Sequence, residues 1–139
     1  MLRIAILGLL LGAVFPVLAE DEKPKSPAGA SGPRVFELRT YTTHEGRLGA
    51  LNTRFRDHTC RLFQKHGMEL IGFWTPRDEK DKLVYILAYP SREAAEASWK
   101  AFHADPDWQK AKAASEADGP IVKRVESVYL DPTGYSAIR

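Results

Sequence analysis

The sequence predicts an α+β domain with the element order β-α-β-β-α-β, and three observations support this prediction. Four short segments have the apolar content and spacing of strands, at residues 35–41, 68–75, 83–89 and 121–130. Two longer segments, at residues 46–66 and 91–117, have the spacing and capping signals of helices. Glycine, proline and charged residues separate these segments at 67, 76–82 and 119–120. This order is that of the ferredoxin-like folds, in which two helices cover one face of a four-stranded antiparallel sheet.

The first predicted strand, residues 35–41, alternates with a period of two, so its side chains divide between two faces. One face carries Phe36 and Leu38, and we expect these apolar side chains to meet the helices. The other face carries Glu37, Arg39 and Tyr41. We expect these three polar side chains to point away from the helices.

The first helical segment carries an apolar stripe. Its members follow spacings of three and four and are Leu48, Leu51, Phe55, Thr59, Leu62 and His66. Gly67 then supplies a C-terminal stop. Cys60 is the one cysteine of the chain, so it cannot form an internal disulfide. It falls outside the stripe, and we expect a bystander thiol rather than a bridge between two copies.

The second helical segment breaks at an Asp-Pro step. Asp105 offers an N-cap oxygen and Pro106 suits the first position of a new helix, so the sequence predicts two helices that meet at a corner. Trp99, Phe102 and Trp108 surround this break, and their large apolar surfaces must be buried. We expect these aromatic side chains to pack the corner on the helix side of the sheet, as architecture rather than as a site.

The third strand, residues 83–89, predicts a homodimer. It contains no charged residue on either face, which is typical of a strand buried on both sides. The helices can cover only one face of the sheet. A second copy of the same sheet, related by a two-fold axis, is the simplest cover for the other face, because an exposed apolar face would promote aggregation.

The N-terminus has the pattern of a secretory signal peptide. Arg3 precedes an apolar run at residues 4–15, and Val17 and Ala19 suit cleavage after Ala19. A membrane anchor is the alternative, but the run is shorter than the roughly 20 residues that a spanning helix needs, and Pro16 interrupts it. We therefore expect residues 1–19 to be removed. The product would be secreted or periplasmic, with no stable membrane insertion.

The remaining chain divides into three parts. Residues 20–33 contain no apolar residue larger than alanine and are rich in proline, glycine and serine, which predicts a disordered tether. Residues 34–132 have the length of one domain. Residues 133–139 form a C-terminal tail that we expect to be loosely held.

The charge balance and the histidines exclude several partners. The formal net charge is +2 at pH 7, and removing residues 1–19 takes away only Arg3, which leaves +1. A nucleic acid or an anionic membrane would require a concentrated basic patch, so we expect neither as a partner. The four histidines, at 44, 58, 66 and 103, show none of the paired spacings of metal ligands. We expect no metal and no cofactor.

Three motifs resemble those of the NIPSNAP family. They are the FELRTY sequence at residues 36–41 followed by Gly46, the GFWT sequence at 72–75, and the Trp-x-x-Phe-x-x-Asp-Pro-x-Trp sequence at 99–108. The resemblance covers about residues 35–129. It implies a dimeric α/β barrel, in which two ferredoxin-like sheets pack face to face. It implies no settled activity, although the wider barrel group includes cofactor-free monooxygenases, haem-degrading enzymes and small-ring isomerases.

One departure from the family pattern limits what the resemblance implies. Many NIPSNAP proteins carry a polar Gly-x-Leu-Asn-Gln stretch that enters the third strand, whereas this chain has Asp-Lys-Leu-Val-Tyr at residues 81–85. A role that depends on that polar pair does not carry over to this chain. The activities of the barrel group are likewise an analogy between folds, which assigns no reaction.

The expected dimer predicts a ligand pocket. If the sheets pack as described, Glu37, Arg39 and Tyr41 face the space between them. A carboxylate, a guanidinium and a phenol in a partly apolar cavity suit a small polar or aromatic ligand. Trp74 would wall one end of this cavity. A neutral His58 that reached the cavity would suit a general base.

A structural role for the same strand is the alternative. Glu37 and Arg39 would then pair with each other, or with Arg124 and Glu126 of the fourth strand. Such pairs would fix the register across the interface rather than bind a ligand.

Three hypotheses for function follow. The first is a dimeric binding protein that holds a small hydrophobic or aromatic molecule between its sheets outside the cytoplasm. The second is a cofactor-independent monooxygenase or isomerase that uses Arg39, Tyr41 and His58. The third is a module that only binds other proteins, through the outer surfaces of its helices. An enzyme should place a titratable group within hydrogen-bond reach of its ligand, and a cavity filled by side chains would exclude it.

Overall fold

The structure, a computed structural model, describes residues 34–139, so the predicted signal peptide and tether lie outside the described residues. The strands are β1 (Val35–Thr43), β2 (Glu69–Trp74), β3 (Lys82–Tyr89) and β4 (Val122–Leu130). The helices are α1 (Leu48–Arg54), α2 (Cys60–Lys65), α3 (Arg92–Ala104) and α4 (Pro106–Ser115), and a π-helical turn at Phe55–Thr59 joins α1 to α2. None of the helices in this part of the chain is long and apolar enough to cross a membrane.

The four strands form one antiparallel sheet in the order β2-β3-β1-β4. This arrangement confirms the predicted ferredoxin-like α+β class, with β3 and β1 in the centre of the sheet. In the register of the sheet, Arg39 of β1 lies opposite Tyr85 of β3 on one side and Ser127 of β4 on the other. These cross-strand neighbours become important for the site described below.

The helices cover one face of the sheet, which we call the helix face. Its central side chains pack into the same core as Leu51, Phe55 and Phe63 of the helices. They are Glu37, Arg39 and Tyr41 of β1 and Leu83, Tyr85, Leu87 and Tyr89 of β3. We call the opposite side the open face. It carries Phe36 and Leu38 of β1, Val84, Ile86 and Ala88 of β3, and Val128 and Leu130 of β4.

The predicted orientation of β1 is therefore wrong. Glu37, Arg39 and Tyr41 lie under the helices, whereas Phe36 and Leu38 lie on the open face. The alternation of the sequence separates the two faces of a strand but does not say which one the helices cover. Here the helix layer supplies one of the hydrogen-bond donors that a buried carboxylate needs, because Trp99 of α3 reaches Glu37.

The helical segment before β2 is interrupted in the middle by the π-helical turn at Phe55–Thr59. At the π-helical turn, the Thr59 hydroxyl donates to the backbone oxygen of Arg54 at 3.2 Å. A π turn inserts one extra residue and so rotates the helix that follows. Cys60 consequently packs, half-buried, against the core, and the prediction that it lies away from the apolar stripe is wrong. Burial raises the pKa of its thiol, which disfavours the reactive thiolate.

The predicted corner between two helices is confirmed. Asp105 caps α4 by accepting a hydrogen bond from the backbone N–H of Asp107 at 2.8 Å. Its other oxygen lies 2.8 Å from Lys65 Nζ and 2.7 Å from His66 Nε2. These hydrogen bonds, with that from Lys65 the strongest, hold the pKa of Asp105 well below its usual range. The corner therefore also ties α4 to the end of α2.

Aromatic rings fill the inside of this corner. The centroid of Phe102 lies 4.5 Å from that of Trp108, 4.9 Å from that of Phe63 and 5.6 Å from that of Trp99. Contacts at these distances stabilise beyond the area that they bury. The expected architectural role of the corner rings thus agrees with their packing.

The C-terminal tail lies along the open face. The Arg34 guanidinium donates to the backbone oxygen of the last residue, Arg139, at 2.8 Å, and to Glu69 Oε2 at 2.6 Å. The Ser136 hydroxyl donates to the backbone oxygen of Ile138 at 2.6 Å. The tail therefore has specific contacts both with the start of β1 and within itself.

Alanine substitutions at two glycines should change the free energy of unfolding in opposite directions. Gly67 ends α2 with a φ of +79°, so Gly67→Ala should lower the free energy of unfolding by about 1 kcal/mol. Gly49 lies in α1 with open space around it, so Gly49→Ala should raise that energy by about 0.5 kcal/mol. Urea denaturation followed by circular dichroism measures both values. Equal effects of the two changes would contradict the assignment of a left-handed stop at Gly67.

Candidate functional site

The most conspicuous group on the helix face is the buried carboxylate of Glu37, which is only 1% exposed. One oxygen accepts from Arg39 Nη1 and from the Ser127 hydroxyl, each at 2.6 Å. The other oxygen accepts from the Tyr89 hydroxyl and from Trp99 Nε1, each at 2.7 Å. These donors come from β1, β4, β3 and α3, so a single side chain joins three strands to the helix layer.

The charge of Glu37 is favoured in this position. Burial by itself raises the pKa of the carboxyl group, but the hydrogen bonds from Ser127, Tyr89 and Trp99 and the charge of Arg39 hold that pKa below its usual value. The carboxylate is therefore ionised and saturated with donors. A base that is already bound by four donors is poorly placed to take a proton from a ligand.

Arg39 connects this carboxylate to an aromatic cluster. Its guanidinium carbon lies 4.1 Å from the centroid of the Trp99 ring and 5.6 Å from that of Tyr41. Cation–π contacts of this kind favour the guanidinium where burial removes water. The His103 ring stacks on Trp99 at 5.5 Å, and burial together with the charge of Arg39 lowers the pKa of His103.

Two buried donors in this cluster have no hydrogen-bond partner among residues 34–139. They are Arg39 Nε and the hydroxyl of Tyr85, whose side chain is fully buried. Aromatic rings surround the Tyr85 ring, namely those of Phe55 at 5.2 Å, Tyr41 and Phe73 at 5.4 Å and Phe63 at 6.0 Å. Burial raises the pKa of the Tyr85 hydroxyl well above its usual value, so it remains protonated and able to donate.

The five predicted site residues do not come together. Glu37, Arg39 and Tyr41 are neighbours on the helix face, as described above. His58 is exposed on the π-helical turn and does not reach the cluster. Trp74 is 52% exposed and lies on the open face, where its ring covers Gly72 at a distance that leaves no space for a Cβ atom. Of the five predicted site residues, Trp74 alone therefore lies on the open face, where a second sheet is expected.

The open face carries a cavity of about 350 Å³. Its walls are mainly apolar side chains of the sheet, and the C-terminal tail closes one side. The lining residues are Phe36, Ile71, Ile86, Leu130, Asp131, Pro132, Thr133, Ser136 and Ile138. The sequence reasoning missed this cavity because the tail was expected to be loose. In residues 34–139, no group of three His, Cys, Asp or Glu side chains is arranged to hold a metal ion.

The partners of Glu37 were also missed, except for Arg39. Tyr89 was grouped with the apolar residues of its strand, and Trp99 with the corner. The fold class predicts that the last strand lies beside β1, but the register that places Ser127 opposite Arg39 is visible only in the structure. The alternative of an internal pair between Glu37 and Arg39 agrees with the 2.6 Å contact. The pair does not involve Arg124 and Glu126, which contact each other at 3.2 Å.

Comparison with known proteins identifies relatives of the chain. The family model described as NIPSNAP matches residues 36–137. No curated protein shows a significant match. Among solved structures, a NIPSNAP family protein of unknown function from Agrobacterium tumefaciens is 21% identical, with a TM-score of 0.68 over 77% of this chain and 95% of that one. An uncharacterised NIPSNAP-like domain protein from Burkholderia xenovorans is 19% identical, with a TM-score of 0.66 over 74% and 88%.

The fold is also similar to that of an oxygenase. SnoaB from Streptomyces nogalater, a cofactor-independent oxygenase, is 16% identical, with a TM-score of 0.56 over 76% of this chain and 99% of that one. Identity at this level shows a shared fold and leaves the reaction open. It agrees with the barrel group that the sequence motifs imply.

Removing the charge of Glu37 tests how much this carboxylate contributes to the free energy of unfolding. Glu37→Gln leaves Arg39 buried without its counter-ion, so the free energy of unfolding should fall by about 3 kcal/mol at pH 7. Because the native pKa of Glu37 lies below the unfolded value, its stabilisation is complete above about pH 4.3 and is lost as the pH falls further. The difference between wild type and variant should therefore shrink below pH 4 in urea titrations. Glu45→Gln, at an exposed loop position, is the control, and an equal loss there would contradict the prediction.

Proposed function

Because the chain belongs to the NIPSNAP family, in which fold and motif assign no reaction, we propose its function from its own surfaces. We propose that it is an exported homodimer that binds a small hydrophobic or aromatic molecule between its two sheets. The cavity on the open face carries this proposal. Export is supported by the sequence of residues 1–19, which has the pattern of a signal peptide.

The chemistry of the cavity favours an apolar ligand. Phe36, Ile71, Ile86 and Leu130 provide its walls, and Asp131 is its one acidic lining residue. A volume of about 350 Å³ lies within the range of small-molecule sites, which combine apolar walls with a few polar groups. Such a site orients a ligand through the hydroxyl groups at its edge and binds it mainly through burial of apolar surface.

The remainder of the open face supports a second copy as the cover. Trp74, Val128 and Leu130 are 52%, 53% and 39% exposed. These side chains continue the apolar surface around the cavity, and a neighbouring sheet would bury them. A two-fold related copy places the same surface opposite itself, as isologous interfaces require. The dimer would then close the cavity on the side away from the tail.

Cofactor-independent oxygenation is the second candidate function. The fold shared with SnoaB and the two unpartnered donors, Arg39 Nε and the Tyr85 hydroxyl, favour it. The predicted catalytic set does not, because Glu37 is saturated with donors and His58 lies on the outer surface. With no free base among these residues, binding without chemistry is the better supported function.

A charge placed in the cavity should abolish binding of an apolar probe. The probe is N-phenyl-1-naphthylamine, a neutral dye that fluoresces in apolar surroundings. Ile86→Glu puts a carboxylate into the cavity wall, so affinity for the dye should fall about tenfold or more. Val125→Glu, on the helix-side face of β4 and outside both the cavity lining and the open face, is the control and should retain affinity. Equal losses in both variants would place the dye elsewhere.

Sedimentation velocity at micromolar concentration tests the dimer. The mature chain, from residue 20, should sediment as a dimer. Val128→Arg introduces a charge on the open face and should shift the protein to monomer. Val125→Arg is the control, because Val125 has a similar exposure but lies on the other face of β4, and it should remain dimeric. A wild-type monomer at these concentrations would overturn the proposed assembly.

A further inference from the structure

We infer that the C-terminal tail, residues 133–139, is a gate over the open-face cavity, and that the guanidinium of Arg34 holds this gate closed. A gate has a use only if the cavity receives a ligand, so this role rests on the function proposed above. It is supported by the place of the tail in the cavity wall, by the rigidity of the other walls and by the way in which the tail is attached.

The tail forms one side of the cavity. Thr133, Ser136 and Ile138 are lining residues, and the other lining side chains belong to the sheet or to the two residues that follow β4. In the proposed dimer, a second copy would cover the exposed side chains of Trp74 and Val128 around the cavity. A ligand would then enter and leave where a wall can move.

The sheet side of the cavity cannot serve as this moving wall. Its apolar floor takes one side chain from each strand, namely Phe36, Ile71, Ile86 and Leu130. Hydrogen-bonded ladders join β1 to β3 and β4, and β2 to β3. Separating two of these strands would break a ladder of the central sheet, and such elements open only at a free energy close to that of global unfolding.

The tail, in contrast, can leave the sheet at low cost. It contains no helix or strand, and none of residues 133–139 is buried. Ile138 is 50% exposed although it lines the cavity. The Ser136 N–H donates to the backbone oxygen of Thr133 at 3.0 Å, so the tail has a turn of its own that does not depend on the sheet. Segments with so few buried contacts open locally while the rest of the fold stays intact.

Arg34 attaches the tail to the sheet. Its Nε donates to the backbone oxygen of Arg139 at 2.8 Å, and its Nη2 donates to the same oxygen. Its Nη1 donates to Glu69 of the edge strand β2 at 2.6 Å, and its guanidinium carbon lies 5.3 Å from the ring centroid of Phe36 in the cavity wall. Within residues 34–139, the hydrogen bonds that join the tail to the rest of the chain all come from Arg34.

This attachment is reversible. The side chains of Arg34 and Glu69 are 29% and 54% exposed, so water competes for their charges. Exposed contacts of this kind contribute little free energy and break readily. Arg34 therefore favours the closed position of the tail without fixing it there permanently.

Stopped-flow fluorescence of N-phenyl-1-naphthylamine with the mature chain, from residue 20, tests the gate. Arg34→Met removes the donors that hold Arg139 but keeps a long apolar side chain, so the tail should open more often. Association and dissociation of the dye should both become about three- to tenfold faster, as expected for loss of an exposed charged contact. Arg77→Met, at an exposed position between β2 and β3, is the matched control and should leave both rates as in wild type.

Shortening the chain to end at Pro132 removes the gate altogether. Dissociation of the dye should then be faster than in Arg34→Met. In the shortened chain, Arg34→Met should have no further effect on either rate, because Arg34 no longer has a tail to hold. Equal effects of Arg34→Met with and without the tail would show that Arg34 acts on the cavity directly and would overturn the inference.

Amide hydrogen exchange followed by NMR reports on the tail without any ligand. In Arg34→Met, the N–H groups of Ser136 and Ile138 should exchange about three- to tenfold faster, while those of β3 exchange as in wild type. Unchanged exchange at the tail would overturn the inference. Normal dye binding with unchanged rates in Arg34→Met would overturn the gate alone, whereas absence of dye binding in the wild type would overturn the proposed function and the gate with it.

Discussion

The structure depends on one buried carboxylate. Glu37 is held by a guanidinium, a phenol, an indole and a hydroxyl that come from three strands and the helix layer. Elsewhere on the helix face the helices present apolar side chains such as Leu51, Phe55 and Phe63 to the sheet. The network therefore fixes how α3 sits on the sheet, and it sets the position of Arg39. A buried ion pair of this kind fixes the relative positions of the elements that it joins, whereas its net contribution to the free energy of folding can be small.

This constraint explains why the fold was predictable and the site was only partly so. Element order, the corner at Asp105 and the strand order follow from local spacing and from general rules of connection. The orientation of β1 does not, because β3 is apolar on both faces and hydrophobicity cannot then say which face the helices cover. It is decided by whether Glu37 finds donors, and the decisive one, Trp99, lies 62 positions away in the chain. Pairwise tertiary contacts of this range leave no periodic signal in a sequence.

A second limit on prediction came from helix geometry. The stripe at spacings of three and four assumes a regular α-helix, but the π-helical turn at Phe55–Thr59 adds a residue to one turn. The predicted stripe is buried both before the turn, at Leu51, and after it, at Leu62, while Cys60 also packs against the core. Leu62 and Phe63, adjacent in sequence, are both fully buried. A π turn has no reliable sequence pattern, so such shifts become visible only in three dimensions.

The sheet also separates two kinds of chemistry. Along β1, Phe36 lines an apolar cavity while Glu37 and Arg39, the next residues of opposite parity, belong to a charged aromatic cluster. The period of two makes this division unavoidable, since neighbouring side chains of a strand point in opposite directions. We therefore expect that each face can be altered by substitutions that leave the side chains of the other face in place.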